Sequence, residues 1–148
     1  MDSIQENTGD AFGGNSGGLE RELRFSRGHQ WVERRLDGTL RIGITPRGLV
    51  RMGDLVFVDL LDNDENLEAG EAYGELESVR AVWDVYSPVG GKVRQINREV
   101  LLHPEEIKEN PYAAWLLEVE AADADEFSRE LMDGEAYAAF VRKEEEQE

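Results

Sequence analysis

The sequence predicts a small α+β domain with a β-rich centre. Short segments in which apolar and polar residues alternate recur along the middle of the chain, as half-buried strands require. Turn signals such as Asp37-Gly38 and Gly90-Gly91 separate these segments. Helical spacing of apolar residues is concentrated near the C-terminus. With 148 residues, the chain is long enough for one such domain around a single core.

The sequence of the first part of the domain predicts three strands followed by a short helix. Leu40, Ile42 and Ile44 alternate with other residues in the third strand. Thr45 is suited to cap a helix N-terminus, and Pro46 is suited to its first position. The predicted elements are strands at 22–26, 31–36 and 40–44, a turn at Gly28, and a helix at 46–52 that ends at Gly53.

The rest of the sequence predicts five more strands and several short helices. Arg80 lies between two of these strands and is therefore expected at an exposed turn. Asp123 and Glu126 have capping-box spacing, and the Glu-rich run at the end is expected to be frayed and solvated. The predicted elements are strands at 55–60, 71–79, 82–87, 92–96 and 115–120, an acidic loop at 62–65, a helical turn between Pro104 and Pro111, and two helices after residue 123.

Composition narrows the classes of function and partner. A net charge of −17 and a pI of about 4.4 argue against nucleic acid and anionic membranes as partners. No apolar run approaches the length of about 20 residues that a membrane span needs. Residues 1–20 are acidic and Gly-rich, and we expect a disordered tail ahead of a domain at 21–148. The absence of cysteine excludes disulfides and thiolate sites and fits a cytoplasmic location.

No pattern in the chain predicts a catalytic or metal site. Neither His29 nor His103 has neighbours that suggest a triad or a metal-ligand set. We expect His29 to be structural and His103 to lie at a helix entry before Pro104. No glycine-rich phosphate loop follows a strand. The chain is therefore not expected to be an enzyme.

Several blocks of the sequence, in this order, carry a family resemblance. They are His29-x-Trp31-Val32, Gly43-Ile44-Thr45, Gly53-Asp54-Leu55-Val56-Phe57-Val58, Gly74-x-x-Glu77-Ser78-Val79, Asp84-x-Tyr86-Ser87-Pro88-Val89-x-Gly91 and Asn110-Pro111-Tyr112 with Trp115. Together they resemble the H protein of the glycine cleavage system. The resemblance implies a lipoyl-type fold (barrel-sandwich hybrid), which is a flattened β-barrel with a C-terminal helical cap.

The resemblance also implies a function. In that family a lysine at the tip of a hairpin bears lipoate, whose arm carries an aminomethyl group from a decarboxylase to an aminomethyltransferase and is then reoxidised by a dehydrogenase. Arg80 stands at the position of that lysine. A guanidinium stays protonated and offers no nucleophile comparable to an amine. We therefore predict that no lipoate is attached at Arg80 and that the chain has no cofactor.

Two further positions depart from the family pattern near the expected arm. Gln30 replaces a glutamate that would meet the cationic cargo, so any remaining hydrogen bond lacks charge assistance. Trp83 stands where the family tends to carry a small or polar residue. It is expected either to cover the groove that the arm would occupy or to anchor a partner, and a core position is the alternative. Trp31 and Trp115 match family positions and are expected in the core.

Other features of the carrier pattern are present. The resemblance assigns the cofactor-binding region to His29, Glu77, Ser78 and Asp84 as well as to positions 30 and 80, and in the family the lipoylating enzymes are thought to read the glutamate at the position of Glu77. Another lysine is a poor substitute acceptor, because none has the context of a hairpin turn. The lysines are Lys92, Lys108 and Lys143.

Three hypotheses follow for the function. The leading one is a non-lipoylated, non-catalytic binding or regulatory paralogue, monomeric when free, that contacts proteins of glycine cleavage or lipoyl metabolism. The alternative is a genuine H protein whose lipoyl-lysine is substituted in this sequence or in a single strain. A third is an adaptor for an unrelated acyl or sulfur pathway.

Overall fold

The structure is a computed structural model that describes residues 21–148. The predicted disordered tail at 1–20 lies outside those residues. The strands are β1 Glu22–Phe25, β2 Gln30–Arg34, β3 Leu40–Ile44, β4 Leu55–Leu60, β5 Asn66–Leu67, β6 Ala72–Ser78, β7 Val82–Tyr86, β8 Gly91–Ile96 and β9 Leu117–Ala121. The helices are α1 Pro46–Met52, α2 Arg98–Leu102, α3 Glu106–Glu109, α4 Glu126–Glu130 and α5 Gly134–Glu146.

Two antiparallel sheets form the body of the described chain. One has the strand order β1-β2-β3-β9-β8-β5, and the other has the order β4-β6-β7. They enclose one core, to which Ile42 and Val119 contribute from the first sheet and Val58, Leu76 and Val85 from the second. Within residues 21–148 the sheets do not join into a closed barrel. The predicted mainly β fold with C-terminal helices is confirmed.

Helix α1 forms as its flanking residues predict. The Thr45 side chain accepts a hydrogen bond from the Gly48 amide, and Pro46 occupies the first turn. Gly53 ends the helix with φ of 89°, a left-handed conformation that favours glycine. These local signals fix the position of the α1 C-terminus, which lies beside the turn described below.

Three local expectations are wrong. Helix α2 was not expected, and His103 caps its C-terminus, although the His103 carbonyl also accepts from the Glu106 amide. Strand β5 pairs with β8 directly after the predicted acidic loop. Asp123 bonds the Asp125 amide ahead of helix α4, and the helix itself has no side-chain cap. Each of these elements is five residues long or shorter, so little sequence pattern distinguishes it.

A second apolar cluster attaches the C-terminal helix to the first sheet. Trp31, Phe25 and Tyr137 are buried together, and the Phe25 and Tyr137 rings stack with their centroids 4.6 Å apart. Trp31 is therefore a core residue, as predicted, and its indole N–H donates to the Pro111 carbonyl at 2.9 Å. Trp115 is only partly buried, because its ring lies on the surface beneath the Arg41 guanidinium.

Candidate functional site

Arg80 lies in the turn of the β6–β7 hairpin, as the sequence predicts. Ser78 organises this turn: its backbone amide donates to the Ala81 carbonyl at 2.8 Å, and its hydroxyl oxygen accepts from the Arg80 and Ala81 amides at 3.1 and 3.2 Å. The Val79 amide donates to the Asp54 carbonyl, which ties the turn to the segment after α1. The backbone of the turn is therefore held by its own hydrogen bonds and by one to a neighbouring loop.

The Arg80 side chain is exposed but lies against the end of helix α1. Its Nη1 donates to the Arg51 carbonyl at 3.3 Å. A Cβ added to Gly53 would lie only 3.2 Å from the Arg80 Nε, so the guanidinium passes directly over this glycine. Carbonyls in the last turn of a helix lack intrahelical partners and favour a nearby cation. The geometry is that of a side chain folded onto its own protein.

A groove opens beside the turn, with a volume of about 460 Å³. Its walls come from the entry to β2, from α1 and from β7, and its lining is mainly apolar. Trp83 is half-buried in this lining, and its indole N–H is 3.4 Å from the Ser78 hydroxyl. Among the residues singled out from the sequence, the groove brings together His29, Gln30, Trp83 and Asp84. Arg80 and Glu77 are outside its lining.

Gln30 is buried and connects the two sheets. Its Oε1 accepts from the Tyr73 hydroxyl at 2.6 Å, and its Nε2 donates to the Tyr86 carbonyl at 2.7 Å. Burial raises the pKa of Tyr73, so the phenol stays protonated and acts as the donor. The amide is therefore committed at both ends to the protein, and this position requires a donor and an acceptor.

His29 is buried and attaches helix α5 to the body of the domain. Its Nδ1 lies 2.8 Å from the Tyr137 hydroxyl, and its Nε2 lies 2.9 Å from the Glu144 carboxylate. Desolvation raises the pKa of Glu144, but hydrogen bonds from His29 and Arg47 outweigh it and lower that pKa overall. The expectation that the Glu-rich end is frayed is therefore wrong for Glu144, since α5 extends to Glu146.

Tyr137→Phe is expected to cost about 1–2 kcal/mol of unfolding free energy at pH 8, because the Thr45 and His29 side chains each lose a buried hydrogen-bond partner. Burial raises the pKa of Tyr137 to about 12, although the Thr45 hydrogen bond lowers it. The stability that depends on the protonated phenol is therefore full below about pH 10, the unfolded value, and declines as pH rises through the folded value. Urea unfolding at several alkaline pH values measures both effects.

The control is Tyr86→Phe, which removes a phenol hydroxyl from a half-exposed side chain. It should leave stability within about 0.5 kcal/mol of the wild type. Equal losses in the two variants would contradict the structural role of the Tyr137 hydroxyl.

Glu77 and Asp84 lie on the outer face of the three-stranded sheet. Glu77 is opposite Phe57 and Val82, while Asp84 is opposite Glu75, and all of these side chains are exposed. Within residues 21–148, neither Glu77 nor Asp84 has a salt bridge. Strand alternation therefore places both side chains on the face of the hairpin opposite to Trp83, although Asp84 also contributes to the lining of the groove.

The three lysines occupy regular elements away from any hairpin turn. Lys92 is in β8, Lys108 in α3 and Lys143 in α5. The Lys108 ammonium is hydrogen-bonded to the Asp54 carboxylate at 2.7 Å, and this contact lowers the pKa of Asp54, with a smaller effect from Arg80. None of these lysines is placed as Arg80 is.

Comparison with known proteins shows which family has both this fold and this sequence pattern. The family model described as "Glycine cleavage H-protein" matches residues 23–144. This chain belongs to the glycine cleavage H-protein family. A "Glycine cleavage system H protein" of Vibrio atlanticus is 40% identical over 126 residues, covering 84% of this chain and 99% of that protein. The "Probable glycine cleavage system H protein" of Pyrococcus furiosus is 38% identical over 124 residues, covering 84% and 92%.

A solved structure supports the same assignment. The crystal structure of a glycine cleavage system H protein from Mycobacterium marinum has a TM-score of 0.72 and 31% sequence identity, and covers 82% of this chain and 97% of that one. The H-protein family is one of carriers, and the chain is accordingly not an enzyme. Within residues 21–148 no group of side chains could hold a metal ion, and no helix is long and apolar enough to cross a membrane.

The residues at the hairpin turn do not fit covalent attachment of the family's lipoyl group. Attachment needs a free amine, whereas residue 80 presents a guanidinium that donates to the Arg51 carbonyl. The described lysines do not offer an equivalent turn. The disagreement concerns the side chain at the position that the resemblance assigns to the lipoyl-lysine, since the backbone of the turn is held by its own hydrogen bonds.

Some residues important to the site were not identified from the sequence. Tyr73, Tyr137 and Glu144 bond Gln30 and His29 across 43, 108 and 115 positions. Arg51, whose carbonyl receives the Arg80 side chain, gave no sequence signal either. The alternation of β6 indicates only that Tyr73 points inward.

Proposed function

We propose that this member of the H-protein family is not lipoylated and acts as a non-catalytic binding or regulatory paralogue. Its partners in this proposal are proteins of glycine cleavage or lipoyl metabolism, and it is a monomer when free and works in the cytoplasm without a cofactor. The proposal rests on the chemistry and the contacts of the Arg80 side chain. The side chain at the attachment position is both chemically unsuited to acylation and folded onto the end of α1.

The groove supports the same proposal. Trp83 supplies a large aromatic surface beside the turn. The Gln30 amide is already hydrogen-bonded to Tyr73 and Tyr86. Neither residue adds negative charge with which to hold a cationic cargo. A half-buried tryptophan at the edge of a groove has the chemistry of an interface anchor, because tryptophan is enriched among the residues that dominate binding energy. We therefore assign partner contact to the turn formed by residues 80–83.

The conformation of the β6–β7 turn is compatible with one competing function. The Ser78 hydroxyl oxygen accepts hydrogen bonds from two amides of the turn, and Glu77 is exposed three positions before Arg80. These features favour recognition by lipoylating enzymes if an amine were present. The competing function is a genuine H protein with a substituted lysine, and the two are separated by the lysine variant considered in the Discussion.

Affinity measurements with purified partners test the proposed surface. The immobilised chain is presented with the decarboxylase, aminomethyltransferase and dehydrogenase of glycine cleavage and with a lipoyl ligase from the same host. Trp83→Ala is expected to weaken binding of the true partner about tenfold or more, since anchor residues at interfaces contribute about 2 kcal/mol or more.

Leu102→Ala provides the control, because it truncates an exposed apolar side chain on α2, outside the groove lining. It should leave the affinity unchanged, and near-UV circular dichroism should show that both variants are folded. Failure of all four proteins to bind the wild type would sink the proposed partner class. Binding that is insensitive to Trp83 would remove this surface from the interface.

A further inference from the structure

Charged residues are arranged differently on the two sheets. Across the six-stranded sheet, Glu118 on β9 lies opposite Arg41 on β3, and the two side chains form a salt bridge at 3.0 Å. Glu22 and Arg34 form a second such pair between β1 and β2. Opposite charges that face each other on neighbouring strands stabilise a sheet. These charges are therefore neutralised within the domain.

The three-stranded sheet carries a row of carboxylates instead. Asp59 on β4 lies opposite Glu75 on β6, and Glu75 lies opposite Asp84 on β7. All three residues are exposed, and within residues 21–148 none of them forms a salt bridge. Like charges directly opposite each other destabilise a sheet. This carboxylate row therefore destabilises the free domain, and a cationic partner lying across it would relieve the repulsion.

An apolar row lies beside the carboxylate row on the same face of the sheet. Phe57 and Val82 flank Glu77 two residues further along the strands, and they are 55% and 57% exposed. The strand register shifts between Leu55 and Phe57, and the extra residue, Val56, is exposed as well. Aromatic side chains are enriched in protein interfaces. The outer face of the three-stranded sheet therefore combines a carboxylate row with an apolar row formed by Phe57 and Val82.

The spacing of the two rows matches one side of an α-helix. Neighbouring strands lie about 4.8 Å apart, so the carboxylate row extends over about 10 Å, and the apolar row lies about 7 Å from it along the strands. Helix residues i, i+4 and i+7 extend over about 10 Å along the axis of a helix whose diameter is about 10 Å. A helix that lies across the strands therefore brings one stripe of side chains over each row.

We propose that the outer face of the three-stranded sheet binds a cationic amphipathic helix of a protein partner. Lysine or arginine side chains of the helix neutralise the carboxylate row and Glu77, and its apolar side chains cover Phe57 and Val82. Charge complementarity favours this occupant, and the net charge of −17 attracts a basic segment to the chain. The inference goes beyond the proposed function, because it assigns a second contact surface and holds for any outcome at the turn formed by residues 80–83.

Titration of the full chain with a model peptide at physiological salt tests the proposal. The peptide has about 15 residues, since shorter isolated helices are marginal, and its lysines form one helical stripe beside a stripe of leucines. A shuffled peptide of the same composition has neither stripe. The ordered peptide is expected to bind saturably, to gain helical circular dichroism, and to shift the amides of residues 57–59, 75–77 and 82–84. It should bind about tenfold or more tightly than the shuffled peptide, because it alone meets both rows.

Two variants of the face are compared with one control. Asp59→Asn/Glu75→Gln removes two carboxylates, and Phe57→Thr removes the aromatic contact while keeping a residue that favours strands. Each is expected to weaken binding of the ordered peptide about tenfold or more. Glu109→Gln/Glu145→Gln makes the same change in net charge as the first variant at exposed positions on α3 and α5, and it should bind as the wild type does.

Urea unfolding distinguishes a loss of binding from a loss of folding. The Asp59→Asn/Glu75→Gln variant should unfold at a urea concentration at least as high as the wild type, because fewer like charges face each other. The proposal is overturned if the ordered peptide shows no saturable binding or if the shuffled peptide binds as tightly. It is also overturned if the control loses as much affinity as the carboxylate variant, or if Phe57→Thr binds as the wild type does.

Discussion

Replacing Arg80 with lysine is expected to convert an unmodified chain into one that accepts a lipoyl or octanoyl group at residue 80. The new side chain supplies the amine that acyl transfer requires. The rest of the turn is expected to stay as it is, because Ser78 still accepts hydrogen bonds from the backbone amides of the turn and Glu77 is still exposed. The effect is essentially all-or-none and is measured by intact mass after incubation with a lipoyl ligase, lipoate and ATP.

Arg80→Gln is the matched control, since it also removes the guanidinium but provides no nucleophilic amine. It should remain unmodified, as should the wild type. Modification of the wild type under the same conditions would show that another residue accepts the group. An unmodified Arg80→Lys variant would show that the surface around the turn is no longer recognised.

The same lysine variant separates the two functions considered for this chain. A genuine H protein with one substitution should regain carrier activity in a reconstituted glycine cleavage assay as soon as the lysine is modified. We expect instead that the modified variant is at least about tenfold less active than the Vibrio atlanticus protein, because Trp83 lies in the groove and misplacement by about 1 Å can cost about 10²-fold. Full activity would favour the competing function.

Gln30→Glu is expected to destabilise the fold by about 3 kcal/mol at pH 7, because it buries a carboxylate at a position whose side-chain partners within residues 21–148, Tyr73 and Tyr86, carry no positive charge. The substitution replaces the Nε2 donor with an oxygen that faces the Tyr86 carbonyl, which now lies 2.7 Å from that atom. Tyr73 can still donate to the other oxygen. Urea unfolding of the variant and the wild type measures the difference.

The pH dependence of this loss follows from the burial of the introduced carboxyl. Burial and the facing carbonyl raise its folded-state pKa above the ordinary value of about 4.3. The protonated form can donate to the Tyr86 carbonyl, so the loss is small below that value and grows as pH rises through the folded-state pKa. Gln147→Glu, at an exposed position, should change stability by about 0.5 kcal/mol or less. A loss at residue 30 that is the same at every pH would contradict this account.

Features encoded by neighbouring residues could be predicted from the sequence. Thr45, Pro46 and Gly53 define helix α1 through a cap, a fixed φ and a left-handed end. The same kind of local pattern placed Arg80 at a turn, since a strand precedes it and another follows. The family resemblance supplied the packing of the two sheets, which alternation alone does not determine.

Features that depend on distant contacts could not be predicted. Gln30 was interpreted as an uncharged replacement for a glutamate beside the expected arm. Its hydrogen-bond partners were not foreseen, because they lie 43 and 56 positions away and occupy both ends of its amide. Glu144 was assigned to a solvated end because a run of glutamates has no apolar pattern, and its contact with His29 spans 115 positions. Tertiary packing brings these side chains together, so no local pattern records the contacts.

The modification state of the native protein tests the central claim most directly. Intact-mass and peptide mass spectrometry of the protein purified from its own host would cover Arg80 and the three lysines together. We predict the mass of a polypeptide with no acyl group and an unmodified peptide at Arg80. A lipoyl or octanoyl adduct on any residue would contradict the claim that this H-protein fold is used without its lipoyl arm.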